Sequence, residues 1–134
     1  MAPLTFLDTS VLVYAYDRGQ PVKRAQAVEM IQSVSHAVIS TQVMLEFFSV
    51  LTRKLLVSPK DAQAAVTGLM HLEVVPSDVQ LVRASIALSA AGGISHWDAM
   101  VVLAASRAGC DVILTEDLTH GQVIEGVRVV NPFA

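Results

Sequence analysis

Short unbroken apolar runs alternate along this chain with longer stretches in which apolar residues recur every three or four positions. Leu4–Leu7 is one such run, ending in Asp8-Thr9-Ser10, and it predicts a buried strand. His36–Ser40, Val74–Pro76, Asp111–Leu114 and Val127–Val130 predict four more strands, the proline closing the second of them. Helical spacing fills most of the intervals. After Pro21, Ala25, Val28 and Ile31 fall on one face, and from Thr41 as N-cap to Leu55, Val43, Phe47, Val50 and Leu51 do the same. Three capping boxes open further helices: Ser58-Pro59-Lys60-Asp61, running to about Leu72; Ser77-Asp78-Val79-Gln80, running to Gly92-Gly93; and Ser95-His96-Trp97-Asp98, running to Gly109. Short, β-branched, continuously apolar strands separated by helices predict an α/β fold whose parallel sheet is covered on both faces. In such sheets ligands bind beyond the carboxyl ends of the strands, where the strand order reverses.

No shift in composition, repeat or low-complexity tract divides the 134 residues, so residues 1–134 are expected to form a single domain. At 53% hydrophobic and 16% charged, the chain is too apolar to stay disordered. Its longest apolar run, Ala99–Ala105, is far below the roughly 20 residues that span a bilayer, so no membrane association is expected. The start, from Met1 to Asp8, shows neither a basic segment nor a long apolar one, and no secretory leader is expected. One cysteine, Cys110, forms no internal disulfide and fits a reducing, cytoplasmic setting.

The net charge of −3 lacks the basic excess usual for a nucleic-acid binder. The balance changes if Asp8, Glu46, Asp98, Glu116 and Asp117 hold cations. Nine Lys and Arg then face seven acids, leaving +2, which is compatible with a phosphate-bearing substrate. Asp8 follows the first strand, and Glu116-Asp117 follow the strand over 111–114. If both strands are central and parallel, these carboxylates share one edge. Taken singly, Asp8 also fits a helix cap for Val11–Tyr16, and Glu116-Asp117 an ordinary polar turn. Glu46 resists a bland reading. It stands in a helix among Met44, Leu45, Phe47 and Phe48, with no basic residue within four positions, and an ionised carboxylate in an apolar setting is costly unless it is paired or binds a metal; the alternative is that Glu46 faces solvent or pairs with Arg53 or Lys54, seven and eight positions on. Asp98, third in its helix, fits a capping-box carboxylate as well as a ligand.

Four segments in this order resemble the PIN-domain ribonucleases, and among them the VapC toxins of bacterial toxin–antitoxin pairs. They are Leu7-Asp8-Thr9-Ser10-Val11-Leu12-Val13-Tyr14-Ala15, Gln42-Val43-Met44-Leu45-Glu46-Phe47-Phe48-Ser49-Val50, Ser95-His96-Trp97-Asp98 with its apolar continuation to Ala105, and Ile113-Leu114-Thr115-Glu116-Asp117-Leu118-Thr119-His120-Gly121. The resemblance spans nearly the whole chain. It implies a three-layer α/β/α domain with a five-stranded parallel sheet, and an acidic pocket that binds Mg2+ or Mn2+ and cleaves RNA. It maps the family's acids onto Asp8, Glu46, Asp98 and Asp117, with Glu116 at the variable position as a further candidate ligand and Thr9 and Thr115 as supporting hydroxyls. It also implies a homodimer, and a cognate antitoxin whose C-terminal segment blocks the acids.

The residue types are consistent with that chemistry. Crowded carboxylates repel, and hard divalent cations with a preference for oxygen relieve the repulsion. One Cys and four scattered His, at 36, 71, 96 and 120, do not suggest a zinc site. Two basic clusters, Arg18-Lys23-Arg24 and Arg53-Lys54, are either guides for RNA phosphates or, as such clusters more often are, a solvated face. Trp97 is expected to be buried packing rather than a base-stacking platform, and His120 to be passive. The rival readings are a housekeeping PIN nuclease that processes RNA without an antitoxin, and a non-catalytic binding module on the same fold.

Overall fold

A computed structural model describes residues 3–134. Met1 and Ala2, part of the stretch read as lacking a leader, lie outside the described residues. In chain order the elements are β1 (Leu4–Leu7), α1 (Thr9–Tyr14), α2 (Pro21–Ser33), β2 (His36–Ser40), α3 (Thr41–Arg53), α4 (Pro59–Thr67), β3 (Glu73–Val75), α5 (Val79–Ala90), α6 (His96–Arg107), β4 (Val112–Leu114), β5 (Val123–Ile124) and β6 (Val127–Val130). The sheet runs β3-β2-β1-β4-β6-β5. The five expected strands are present and pair in parallel. The correction is a sixth, β5, which pairs antiparallel to β6 at the edge. Its turn is only Glu125-Gly126, with φ of 51° and 79°, the two positive values that a type I′ hairpin needs.

The chain winds outward from β1 in both directions, through β2 and β3 on one side and β4 and β6 on the other. The reversal therefore falls between β1 and β4, whose register pairs Leu7 with Leu114. Both strands are apolar because both faces are covered: Phe6, Leu7, Ile113 and Leu114 are buried. Helix α3 adds Val43, Phe47 and Leu51, whose spacing of four puts them on one inward stripe. On α2 the inward face is Ala27 with Met30 and Ile31 rather than Ala25, which is exposed. Cys110 is buried just before β4, and burial pushes its thiol up to about 12. Among the described residues, no helix is long and apolar enough to cross a membrane.

Helix boundaries follow the caps. Ser40, not Thr41, caps α3, its hydroxyl accepting from the Val43 amide at 3.2 Å. Asp78, not Ser77, caps α5, where its carboxylate accepts from Leu81 N–H at 2.8 Å and pairs with Arg107 at 2.9 Å. Helix α4 ends at Thr67, short of Leu72, with Gly68 as its C-cap. Ser58 and Ser95 cap α4 and α6 as expected. Phe47 lies on the helix that carries Glu46 and is fully buried against Tyr16, their ring centroids 5.6 Å apart. Phe47→Ala is expected to cost about 3–5 kcal/mol of unfolding free energy, read from urea melts.

Candidate metal-binding and catalytic site

The site is built where the strands end. Asp8 follows β1 and caps α1: its Oδ1 accepts from the Thr9 amide at 2.8 Å and its Oδ2 from the Thr115 hydroxyl at 2.7 Å. The cap reading of Asp8 holds, and the same side chain lies at the carboxyl end of β1 where the cleft opens. Thr115, fully buried after β4, also accepts from the Asp117 amide at 3.1 Å. One hydroxyl thus fixes both the first acid and the loop that presents the last. Glu46 comes from α3, which leaves β2 without a loop. Asp98 comes from the first turn of α6, where its amide, at 3.1 Å from the Ser95 hydroxyl, anchors the helix start.

Electrostatics show how close these acids lie. Asp8 is only 7% exposed, and burial raises its carboxyl from 3.8 to about 6. The Thr115 and Thr9 hydrogen bonds oppose this rise, while the charges of Asp117 and Glu46 add to it. Glu46 is raised by partial desolvation and by Asp117 and Asp98, with the Gln42 amide opposing. Asp117 is raised by desolvation and by Asp98 and Glu116, with Lys54 opposing. The expected acids thus form a chain of interactions centred on Asp117, which couples to Asp8, Glu46 and Asp98, with Glu46 also coupled to Asp8 and Asp98. Asp117 and Glu116 form a ridge between two hollows. One, of about 350 Å³, is lined by Thr9, Glu46 and Lys54; the other, of about 370 Å³, by Ser95 and Asp98.

Among the described residues, no three Asp, Glu, His or Cys side chains are closed around one cation position. The donor set nevertheless fits a hard cation: carboxylates repelling across a cleft, and the Thr9 hydroxyl buried at its wall without a partner.

Glu116 is held differently. Its Oε1 accepts from the Tyr14 hydroxyl at 2.7 Å and its Oε2 pairs with Lys23 at 3.1 Å. Tyr14 went unnoticed as a site residue, and Lys23 was read only as part of a basic cluster. The usable signal was helical spacing. Ser10 and Tyr14 stand four apart on α1, and both meet Glu116, whose amide reaches Ser10 Oγ at 3.4 Å. Trp97 is 60% exposed, not buried as expected, and lines an apolar groove of about 680 Å³ with Leu45 and Met100. Glu46 stands on the rim shared by that groove and the acidic cleft. His120 accepts from the Asn131 amide at 3.0 Å.

A mostly parallel α/β sheet with carboxylates gathered at its switch point defines the class of the fold as an acid-lined α/β domain. The chain belongs to the PIN domain family, whose model matches residues 5–124. No curated protein matches it significantly. Solved structures share the fold. A toxin–antitoxin complex from Klebsiella pneumoniae superposes with TM-score 0.73 at 17% identity, covering 96% of this chain and 97% of that one. A DNA-bound VapBC from Salmonella typhimurium gives TM-score 0.66 at 22% identity over 96% and 97%. VapC20 of Mycobacterium tuberculosis, a toxin that cleaves the sarcin-ricin loop, gives 0.66 at 16% identity over 81% and 86%.

The raised acids set a pH dependence. The unfolded Asp8 carboxyl ionises near 3.8 and the folded one near 6, so the folded state holds the extra proton in this window. Without cations, stability from this group is greatest below the lower value. It falls as pH rises through the window and stays reduced above it, by about 3 kcal/mol for a shift of about two units. Asp8→Asn is expected to raise the melting temperature of the cation-free protein at pH 7.5 and to flatten the decline between pH 4 and 7. Thermal melts across that range measure both effects.

Proposed function

We propose that this chain is a Mg2+- or Mn2+-dependent endoribonuclease, the toxin of a toxin–antitoxin pair. The observation that carries the reading is the convergence on Asp117 at the switch point of the sheet: its charge raises the carboxyls of Asp8 and Glu46, and Asp98 in turn raises both Glu46 and Asp117. Membership of the PIN family supports the nuclease reading. Likeness to chains from toxin–antitoxin complexes supports a cognate antitoxin as partner.

In this reading Asp8, Glu46, Asp98 and Asp117 hold the cation, and Glu116 stands beside them paired to Lys23. When bound, the cation supplies a nucleophilic water of lowered pKa and charge neutralisation at the scissile phosphate. The protein's own residues do the rest. Thr115 fixes the orientation of Asp8 by donating to one of its oxygens and leaves the other on the Thr9 amide. The same hydroxyl holds the Asp117 amide, so the two acids keep their spacing. Lys54, on the cleft wall, offers a cation to an incoming phosphate. RNA enters across the open side of the cleft. An apolar antitoxin segment lying against Trp97 and Leu45 would abut Glu46 at the shared rim. The exposed apolar side chains of Leu45, Val79 and Ile86 are consistent with a homodimer.

Purified protein is expected to cut RNA only with Mg2+ or Mn2+, and Asp8→Asn or Asp98→Asn is expected to reduce cleavage by more than about 100-fold while leaving the circular dichroism spectrum unchanged. Full cleavage by either folded variant, or cleavage in chelator, would refute the reading. An adjacent reading frame for a small DNA-binding protein that suppresses cleavage when co-purified separates a toxin from a housekeeping nuclease.

A further inference from the structure

Glu116 sits next to an acid of the cleft, yet each of its carboxylate oxygens is already turned to a partner on the helices beside it. Oε1 accepts from Tyr14 at 2.7 Å, and Oε2 meets the Lys23 ammonium at 3.1 Å. Lys23 Nζ is also 3.2 Å from the Tyr14 hydroxyl, which closes a three-membered network. The ammonium is held on two further sides, 4.7 Å from the Tyr14 ring centroid and 5.5 Å from that of Phe133. Phe133 in turn packs edge-on against Tyr14, with centroids 4.8 Å apart. The Lys23 ammonium of α2 is thus met by Tyr14 of α1, by Glu116 from the loop after β4 and by Phe133 beyond β6.

A carboxylate so held cannot turn toward a cation in the cleft without losing a short hydrogen bond and an ion pair together. The pair also offsets part of its charge, although Glu116 is still felt at Asp117, whose carboxyl it raises. The Glu116 backbone is tied as well, its amide at 3.4 Å from Ser10 Oγ. The next residue is Asp117.

We propose that Lys23 and Tyr14 are positioning residues: they hold the Glu116 carboxylate out of the cation set and thereby fix the loop that presents Asp117. This rests on the cation-binding reading of the cleft given above. Lys23 therefore acts on the reaction through Glu116 and not by touching RNA.

The test combines calorimetric Mn2+ binding to the full chain with steady-state RNA cleavage. Lys23→Met frees the Glu116 carboxylate to crowd the cleft, and kcat is expected to fall about tenfold with KM unchanged. Lys23→Arg keeps the pair and is expected to retain most of kcat. In the double variant Lys23→Met with Glu116→Gln, the amide at position 116 still accepts from Tyr14 and no carboxylate is freed. Most of kcat is expected to return, and Mn2+ affinity to stay within about threefold of the unmodified chain, the worth of a partly exposed ion pair. Asp117→Asn is expected to weaken Mn2+ by more than about tenfold. Loss of Mn2+ affinity in the double variant to the level of Asp117→Asn would make Glu116 a ligand and overturn the proposal. So would a rise in KM with kcat unchanged in Lys23→Met, which would make Lys23 an RNA contact. Undiminished Mn2+ binding by Asp117→Asn would instead overturn the cation site itself. Thermal melts confirm that each variant is folded.

Discussion

The hydrogen bond from the Thr115 hydroxyl to Asp8 links the two strands between which the sheet reverses direction. Around it the rest of the site takes its position. Asp8 follows β1 and Thr115 follows β4, and those strands are in register through Leu7 and Leu114. A carboxylate this deeply placed is stable only where donors meet it, and here a backbone amide and a hydroxyl do so. They do not suffice to keep its pKa at the ordinary value. The fold thus retains, at its centre, a group whose ionised form it does not fully accommodate, with two further acids, Asp117 and Glu46, adding to the cost. Burial is the larger part of the cost and the neighbouring charges the smaller.

Much of this was legible in the sequence, for identifiable reasons. The strands are short and apolar because both faces of the sheet are covered, and the apolar runs that stop at Asp8 and before Glu116-Asp117 put those acids at strand ends. Glu46 stands out in sequence by its lack of a basic neighbour and makes no ion pair among the described residues, but its apolar neighbours do not enclose it: it lies on the exposed side of α3, away from the Val43–Phe47–Leu51 stripe. What escaped was set by competition between similar local choices. Ser40 displaced Thr41 as cap because β2 passes into α3 without a loop, leaving the hydroxyl of the last strand residue over the helix N-terminus. Asp78 displaced Ser77, since a carboxylate gains from both the helix dipole and Arg107. The β5 hairpin turns on Glu125-Gly126, which carries only half of the Asn-Gly or Asp-Gly signature. Trp97 was assigned to the interior on general grounds, but a residue in the first turn of α6 points across the sheet edge rather than into it. Of the Tyr14–Lys23–Glu116 network, the spacing of Ser10 and Tyr14 marks one face of α1, but not its partners, because Lys23 lies 9 residues from Tyr14 and 93 from Glu116.

The loop after β4 gives the cleft its shape. Glu116 and Asp117 are adjacent in sequence but face different surroundings: one is pinned by Tyr14 and Lys23, the other is open to Glu46 and Asp98. Two neighbouring acids with such different partners divide the depression into two hollows, one toward α3 and one toward α6. On the far side of Glu46 the surface turns apolar. A ligand crossing that rim passes from side chains that favour burial to side chains that demand a counter-charge, over the width of one helix.

The single thiol has a practical corollary. Cys110 is enclosed by the core ahead of β4, and its proton is held until pH far above neutrality. Maleimide reagents act on accessible thiolates, so the native protein presents them with almost nothing to react with. A cysteine introduced at an exposed position, such as Leu56 on the loop after α3, would be the sole attachment point for a spin label or fluorophore. The fold thus comes with a silent background for spectroscopic distance measurements, and no native residue has to be removed to obtain it.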